Sequence, residues 1–258
     1  MSRVLLAEWT KLRTTNGPFW LLAGLVVATV GIGVAALAAT RCPAGESCPV
    51  DTARLSLTGF QAGEAIVAVL AVLVVSTEYS TGMIGPTLAA MPRRWQVLAT
   101  KAALAGASVL VAGCLAAGLS VLAGRILLPG HGFTAARGFA ALSLASGPDL
   151  RAAAGSVLYL GLIAVLAAGV AAVLRDSAVA TGVSLGLLYL TPLIAALIGS
   201  PLWQRRLERY APTAGLSIQA TTGLHDLAIS PWAGLGVLAL WAAGALLTGA
   251  LALHQRDA

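Results

Sequence analysis

The chain has 258 residues, of which 58% are hydrophobic and only 10% are charged. Soluble domains carry about 25% charged residues because their surfaces face water, so this composition excludes an ordinary soluble protein and indicates one that lies in a bilayer. The net charge of +6 does not indicate nucleic-acid binding, because the basic residues are scattered between apolar runs and form no continuous patch.

The N-terminal segment, residues 1–18, precedes the first long apolar run. Leu5, Trp9 and Leu12 share one face of a helix there, and the basic residues Arg3 and Lys11 lie away from that face. This pattern is typical of an amphipathic helix in the membrane interface, although an ordinary basic flank of the first span has the same composition. The run that follows is too long for the apolar region of a signal peptide, so we expect it to remain in the mature protein.

Six apolar runs between residues 19 and 253 are long enough to cross a hydrocarbon core about 30 Å thick, which needs about 20 helical residues. They are Phe19–Ala39, Thr58–Thr77, Ala102–Gly124, Ala152–Leu174, Ala178–Ile198 and Trp232–Leu253. Pro192 should kink the fifth run without ending it. We therefore expect an all-α integral membrane protein with six transmembrane helices, followed by a short tail over residues 254–258.

The orientation in the membrane follows from the basic residues. An even number of spans places both termini on one side. With the termini inside, the inner and the outer segments each hold eight Lys and Arg residues, so the count alone gives no preference. The inner segments are shorter and therefore denser in basic residues, and three basic residues precede the first span. We expect a plasma-membrane protein with both termini in the cytoplasm.

Two cysteines lie in the loop after the first span. Cys42 and Cys48 are separated by five residues that include Pro and Gly, a spacing at which a disulfide would close a small ring. Disulfides persist in oxidising compartments, so a bridge would place this loop outside the cell, in agreement with the expected orientation. Two unpaired thiols are the alternative.

Glu64 is the one acidic residue well inside a predicted span, and Gln61 precedes it by one turn. Because a carboxylate is costly in lipid, Glu64 should face a bundle interior, a cavity or a partner subunit. One hypothesis is that Gln61 and Glu64 line a substrate path. The alternative, which the nearby Arg54 favours, is that Glu64 reaches head groups or water at the outer boundary. Gly59 and Gly63, on the same stretch, predict a close contact with another helix.

The sequence lacks the patterns of nucleotide and metal sites. No Gly-x-x-x-x-Gly-Lys-Ser/Thr run is present, so nucleotide phosphates are not bound by that route. The three histidines, His131, His225 and His254, lie far apart and without the spacing of metal ligands. We therefore expect this chain to bind no cofactor or metal of its own.

The segment between the second and third spans, residues 78–100, is the most distinctive stretch. It begins with Glu78 and Tyr79, continues through glycine and proline breaks, and ends in a Pro-Arg-Arg run at Pro92 to Arg94. This pattern predicts a short helical element at the inner face of the membrane. The alternative is that Glu78 and Tyr79 only anchor the helix end at the interface, where Tyr and charged residues are common.

This stretch resembles type-2 ABC exporter permeases, in which a Glu-Tyr-Ser/Thr-x-Gly-Met/Thr-Ile run leaves the second helix and a Pro-x-Arg run leads to the third. The segment Glu8–Arg13 is similar to the entry helix of that family. Residues 210–215 and 230–235, in the predicted outer loop 199–231, are similar to its last outer loop and last helix. The resemblance covers most of the chain, and the order of the motifs supports it more than any single motif does.

The resemblance implies how such a chain works. The element that docks into a cytoplasmic ABC ATPase subunit would consist of Glu78, Tyr79, Gly82, Met83, Pro92, Arg93 and Arg94. The ATPase subunit, a separate chain, would hold ATP and Mg, so this chain would not be an enzyme. A second permease, identical or similar, would complete the transport path in the bilayer.

Other hypotheses remain open from the residues alone. One is an integral membrane enzyme with Glu64 or His131 in catalysis, and another is a membrane-bound immunity or scaffold protein. The loop 199–231 also allows two descriptions. Its amphipathic stretch Trp203–Tyr210 could lie on the interface or dip back into the membrane as a re-entrant segment.

Overall fold

The computed structural model of the chain describes residues 16–43, 48–80 and 94–255. Nearly all of the N-terminal segment and most of the predicted docking element therefore lie outside the described residues. Throughout the described part the regular structure is helical, and six helices are long and apolar enough to cross a membrane. The prediction of an all-α protein with six spans is confirmed.

Nine α-helices follow one another along the described chain. They are α1 (Asn16–Ala39), α2 (Thr52–Ser56), α3 (Phe60–Ser80), α4 (Arg94–Leu127), α5 (Gly147–Leu174), α6 (Ser177–Leu185), α7 (Thr191–Leu197), α8 (Pro201–Tyr210) and α9 (Pro231–Gln255). Short 3₁₀ segments occupy Leu128–His131, Ala135–Arg137 and Pro212–Gln219. The spans are α1, α3, α4, α5, the continuous pair α6–α7, and α9.

The fifth span continues through Pro192, as predicted. A turn of π-helix, Gly186–Leu190, joins α6 to α7 just before the proline. Pro192 has no N–H to give to the carbonyl one turn earlier, and a wider turn accommodates its ring. The hydroxyl of Thr191 donates to the carbonyl of Leu187 at 2.8 Å, so this neighbouring carbonyl has a partner.

Two helices extend beyond the apolar runs that predicted them. Helix α4 begins at Arg94 and has 34 residues, and α5 begins at Gly147 rather than at Ala152. Ser146 caps α5 by accepting a hydrogen bond from the backbone N–H of Asp149 at 3.3 Å, and a proline occupies its first turn. At the start of α5, a cap and a proline rather than hydropathy set the end of the helix.

Helices α3 and α5 form the centre of the bundle. In their most apolar stretches 56% and 61% of the residues are buried, against 22% in α1, the fifth span and α9. Helix α5 packs against α3, α4 and α9. The three less buried spans therefore present wide apolar faces to lipid or to a partner.

Glycines bring several helices into backbone contact. A Cβ on Gly59 would overlap the Thr29 carbonyl of α1, and one on Gly63 would lie 2.6 Å from the Thr29 hydroxyl. This is the close helix contact that the spacing of these glycines predicted. In the same way, a Cβ on Gly169 of α5 would lie 2.5 Å from the backbone carbon of Ala245 in α9. These helices pack as closely as small residues in membrane helices allow.

The bundle has two ends, which we name from their contacts. At the disulfide end, Cys42 and Cys48 form a disulfide, the backbone N–H of Cys42 donates to the His131 carbonyl at 2.9 Å, and Arg137 donates to the Cys42 carbonyl at 2.8 Å. At the opposite end, which we call the Arg175 end, Arg175 closes α5 with a left-handed backbone and donates to the Ala252 carbonyl of α9 at 3.2 Å.

The contact between α5 and α9 predicts a selective effect of glycine replacement. Gly169→Val should lower the free energy of unfolding by about 1 to 3 kcal/mol, because the added side chain must push the α9 backbone away. Gly244→Val, in α9 itself, should have little effect because nothing lies within 4 Å of its Cβ position. Thermal unfolding of the purified protein in detergent measures both. Equal loss of stability in the two variants would contradict this packing.

Candidate functional site

Glu64 lies in the interior of the bundle. Its side chain is 0% exposed, so the expectation that it reaches head groups or water at the outer boundary is wrong. Phe60, Ala68 and Ala71 share the helical face of Glu64 on α3, and all three are fully buried. Helical periodicity directs Glu64 inwards, although its position along the chain is close to the end of the span.

Tyr159 of α5 is the hydrogen-bond partner of Glu64. Its hydroxyl donates to Glu64 Oε2, and its side chain is also 0% exposed. The second carboxyl oxygen, Oε1, is buried and accepts no hydrogen bond from the described residues. A buried polar group without partners costs about 1 to 3 kcal/mol, so Tyr159 supplies the contact that makes burial of Glu64 tolerable. Sequence reasoning missed this residue, which lies inside an otherwise apolar run.

Gln61 faces away from Glu64. Its side chain is exposed, and its backbone carbonyl accepts a hydrogen bond of 2.7 Å from the Tyr189 hydroxyl of the fifth span. The structure thus does not bring Gln61 and Glu64 together on one lining: one turn separates them along α3, but Gln61 is exposed and Glu64 is fully buried. An apolar groove of about 310 Å³ lies elsewhere, between α4 and α5, with Gly106, Leu110 and Gly161 in its wall.

The 3₁₀ segment Pro212–Gln219, which we call the inserted segment, enters the bundle between α5 and α9. Three glycines make room for it. A Cβ on Gly215 would lie 2.7 Å from the Tyr159 ring, one on Gly155 would overlap Ile218, and one on Gly234 would overlap the Ala214 carbonyl. The Tyr159 ring contacts Gly215, and its hydroxyl contacts Glu64. The Tyr159 ring therefore lies directly between the inserted segment and the buried carboxyl.

The loop 199–231 therefore combines the two arrangements that the sequence left open. Helix α8 has no buried residue, and its Arg206 guanidinium lies 5.4 Å from the centre of the Trp203 ring, as in an amphipathic helix on a surface. The inserted segment that follows returns into the bundle, with Ala214 and Ile218 buried. The Trp241 indole of α9 donates to the Tyr210 carbonyl at 2.9 Å and fixes the point where α8 passes into the inserted segment.

The end of the inserted segment is tied to the residues that precede α3. The Gln219 amide donates to the Leu57 carbonyl at 3.4 Å, and Arg151 donates to the Ala220 carbonyl at 2.6 Å. Asp51 accepts hydrogen bonds from the Thr221 N–H at 2.6 Å, the Thr221 hydroxyl at 2.8 Å and the Thr222 N–H at 2.9 Å. Asp51 also caps α2 by accepting from the Arg54 N–H at 3.0 Å.

The electrostatics of Asp51 follow from these contacts. Partial burial raises the pKa of the carboxyl, but hydrogen bonds from the backbone of Arg54, Thr222 and Thr221 and from the Thr221 hydroxyl outweigh it and leave the pKa below its ordinary value. Each donor stabilises the carboxylate relative to the acid. Asp51 is therefore an ionised clamp at the disulfide end at neutral pH.

The residues predicted to dock on an ATPase are not tested by the structure. Glu78 and Tyr79 belong to the last turn of α3, and Arg94 is the first residue of α4. Gly82, Met83, Pro92 and Arg93 lie outside the described residues. The basic residues counted for the inner segments from the sequence include Lys101. It instead lies inside α4, is 5% exposed, and donates to the Val74 carbonyl of α3 at 3.5 Å.

The described residues contain no group of three His, Cys, Asp or Glu side chains placed to hold a metal ion. His131 lies in the 3₁₀ turn after α4 and contacts the disulfide loop through its backbone. Comparison with known proteins gives no family: no family model matches the chain, and no curated protein is significantly similar to it. The geometry of the bundle therefore carries the functional argument.

The Asp51 clamp predicts a pH-dependent contribution to stability. Because its folded-state pKa is lowered, the stabilisation is present above the ordinary aspartate range and is lost as the pH falls through the folded-state value, below about pH 4. Asp51→Ala should therefore lower the free energy of unfolding at pH 7 by about 1 to 2 kcal/mol, discounted for partial exposure. The gap between wild type and variant should narrow towards pH 3, as thermal unfolding at each pH would measure. A gap that stays constant would rule out an ionised clamp.

Proposed function

We propose that the chain is the permease subunit of an ATP-driven exporter of the type-2 ABC class. The observation that carries the proposal is the connection between the fifth and sixth spans. An exposed amphipathic helix, α8, is followed there by an inserted segment that returns between α5 and α9. The sequence resembles that class over this same loop, at residues 210–215 and 230–235, and a six-span chain with such a loop supports the proposal.

Helix α3 supports the proposal because it connects the bundle centre with the predicted docking element. It is unbroken from Phe60 to Ser80, a length of 21 residues or roughly 30 Å, and it holds Glu64 in its first turns. A helix of this length transmits a displacement as a rigid element. Movement of the docking element, residues 78–94, would therefore reach the buried carboxyl directly.

The proposal assigns the partners and the orientation. The Arg175 end faces the cytoplasm, where an ABC ATPase subunit binds ATP and Mg and contacts the docking element. The disulfide end faces the outside of the plasma membrane, in agreement with the oxidising conditions in which disulfides persist. ATP-driven closure of two ATPase subunits would move the docking elements and rearrange two permeases around a central path.

Gln61 supports the pairing of two permeases. Gln61 lies in the first turn of α3, and an uncovered amide there favours water, head groups or a polar partner over hydrocarbon. The single chain leaves the Gln61 side chain uncovered. A second permease would cover this face of α3, and Gln61 would then border the path between the two copies. Catalysis by Glu64 in a membrane enzyme is less well supported, because a fully buried carboxyl offers a substrate no approach.

The proposed orientation predicts labelling from opposite sides. A single cysteine introduced near Arg93 should react with a membrane-impermeant thiol reagent only after the cells are opened, and one near Arg205 should react in intact cells. Both belong in a Cys114→Ala background, because that native thiol is free and exposed. Arg94, next to the first site, begins α4, and Arg205 belongs to α8 between the fifth and sixth spans, so a six-span chain places the two sites on opposite sides. Reaction of both cysteines in intact cells would contradict the proposed topology.

The docking element predicts a loss of coupling without a loss of folding. A carboxylate at Glu78 can pair with cations on a docked ATPase, an interaction of roughly 1.5 to 3 kcal/mol when partly shielded, and Gly82 permits a turn that valine resists. Glu78→Ala and Gly82→Val should therefore leave expression unchanged and reduce transport and substrate-stimulated ATP hydrolysis by the reconstituted complex about tenfold or more.

The matched control for this experiment is Glu208→Ala, which removes an exposed carboxylate of α8 at the other end of the bundle and should not change ATP hydrolysis. The purified chain alone should hydrolyse no ATP. Full stimulation of ATP hydrolysis in both docking variants would show that the segment only anchors the helix end at the interface. Failure to recover any ATPase with the chain from its native membrane would remove the basis of the permease proposal.

A further inference from the structure

Tyr159 contacts two parts of the molecule that belong to different elements. Its hydroxyl donates to Glu64 Oε2 on α3, and its ring packs against the backbone of Gly215 in the inserted segment. The ring is fully buried, so it has no free direction in which to turn while both neighbours are in place. The position of the inserted segment and the hydrogen bond of Glu64 therefore depend on the same side chain.

The carboxyl depends on this contact because its other oxygen is unpartnered. Glu64 Oε1 is buried and receives no hydrogen bond from the described residues. Apart from Tyr159, Tyr189 is the other side chain that interacts with the Glu64 carboxyl, and its hydroxyl already donates to the Gln61 carbonyl. Loss of the Tyr159 hydroxyl is therefore unfavourable for the buried carboxyl, and a conformation that moves Tyr159 must give Glu64 another environment, such as water or a ligand donor.

The inserted segment depends on the same contact from its other side. A Cβ on Gly215 would lie 2.7 Å from the Tyr159 ring and 3.3 Å from the Leu238 side chain of α9, so the segment fits only between these two side chains. If the segment withdraws, the Tyr159 ring loses the neighbour that holds it in its rotamer. The ring can then turn into the vacated space and take its hydroxyl away from Glu64.

We propose that Tyr159 is a positioning residue that couples the inserted segment to Glu64. Withdrawal of the segment from the bundle breaks the Tyr159–Glu64 hydrogen bond and opens the carboxyl to the disulfide end. Conversely, loss of the hydrogen bond loosens the segment. The inference rests on the proposed function only in one step, namely that this withdrawal is the opening of the permease towards the outside.

The first test measures the segment after the hydrogen bond is removed. The full-length chain in lipid nanodiscs is followed by hydrogen–deuterium exchange of peptides that cover residues 212–222. Tyr159→Phe, which keeps the ring and removes the hydroxyl, should raise exchange of these peptides about tenfold, the effect of losing one buried hydrogen bond. Ser156→Ala is the matched control, since it removes a buried hydroxyl of the same helix, which donates to the Ala152 carbonyl at 2.8 Å, and leaves the Tyr159–Glu64 hydrogen bond in place.

The second test changes the inserted segment and measures the accessibility of Glu64. Glu64 is probed with dicyclohexylcarbodiimide, an apolar reagent for carboxyl groups in membranes, and its modification is followed by mass spectrometry. Gly215→Ala places a methyl group against the Tyr159 ring and should speed modification of Glu64 about tenfold as well. Gly199→Ala, in the same loop but with nothing within 4 Å of its Cβ position, should leave the rate unchanged.

The two tests together separate coupling from a local structural role. If Tyr159→Phe speeds modification of Glu64 while exchange of residues 212–222 stays at the wild-type rate, the hydrogen bond is local and the inference is wrong. An unchanged rate of Glu64 modification in Gly215→Ala overturns it equally. Because neither measurement needs an ATPase, a negative result leaves the permease proposal standing, and the absence of an ATPase partner leaves the coupling standing.

Discussion

The burial of a single carboxyl among apolar helices constrains the centre of this protein. Glu64 lies where hydrocarbon and close-packed side chains exclude water, so its polar atoms must find partners within the bundle. Tyr159 supplies one such partner from α5, and it thereby links the two most buried spans. Because the two atoms of the hydrogen bond must meet, it specifies the register of α3 against α5 in addition to their apolar packing.

Glycines allow the inserted segment to enter the bundle beside the Tyr159–Glu64 hydrogen bond. A tyrosine that reaches across to α3 leaves little room for the chain that enters between α5 and α9, and the close approaches at Gly155, Gly215 and Gly234 provide it. The same device operates between α1 and α3 and between α5 and α9. In a membrane, where apolar burial does not favour one helix contact over lipid, such close backbone contacts supply the packing energy.

The sequence was sufficient for the number and approximate position of the spans, because a bilayer demands a fixed length of apolar helix and leaves few alternatives. The sequence was insufficient to predict which way a polar side chain points and which partner it contacts. Glu64 seemed close enough to a span end to reach water, but helical periodicity directs it inwards. Lys101 was counted with the inner segments because α4 begins at Arg94, before the apolar run that predicted it. The inserted segment depends on contacts with glycines distant in the chain, which no local pattern reveals.

The two ends of the bundle differ in how they are held, and this difference bears on movement. At the disulfide end, Asp51, Arg151 and Gln219 join the loop after the inserted segment to residues before α3 and to α5. At the Arg175 end, the described contacts of Lys101 and Arg175 are with helix carbonyls, which suit cations near helix C-termini. A force applied at the Arg175 end would therefore travel along intact helices before it met the side-chain ties at the other end. Tyr159 lies between these regions, at the point where α3, α5 and the inserted segment meet, and a displacement of any one of the three changes the contacts of its ring or its hydroxyl.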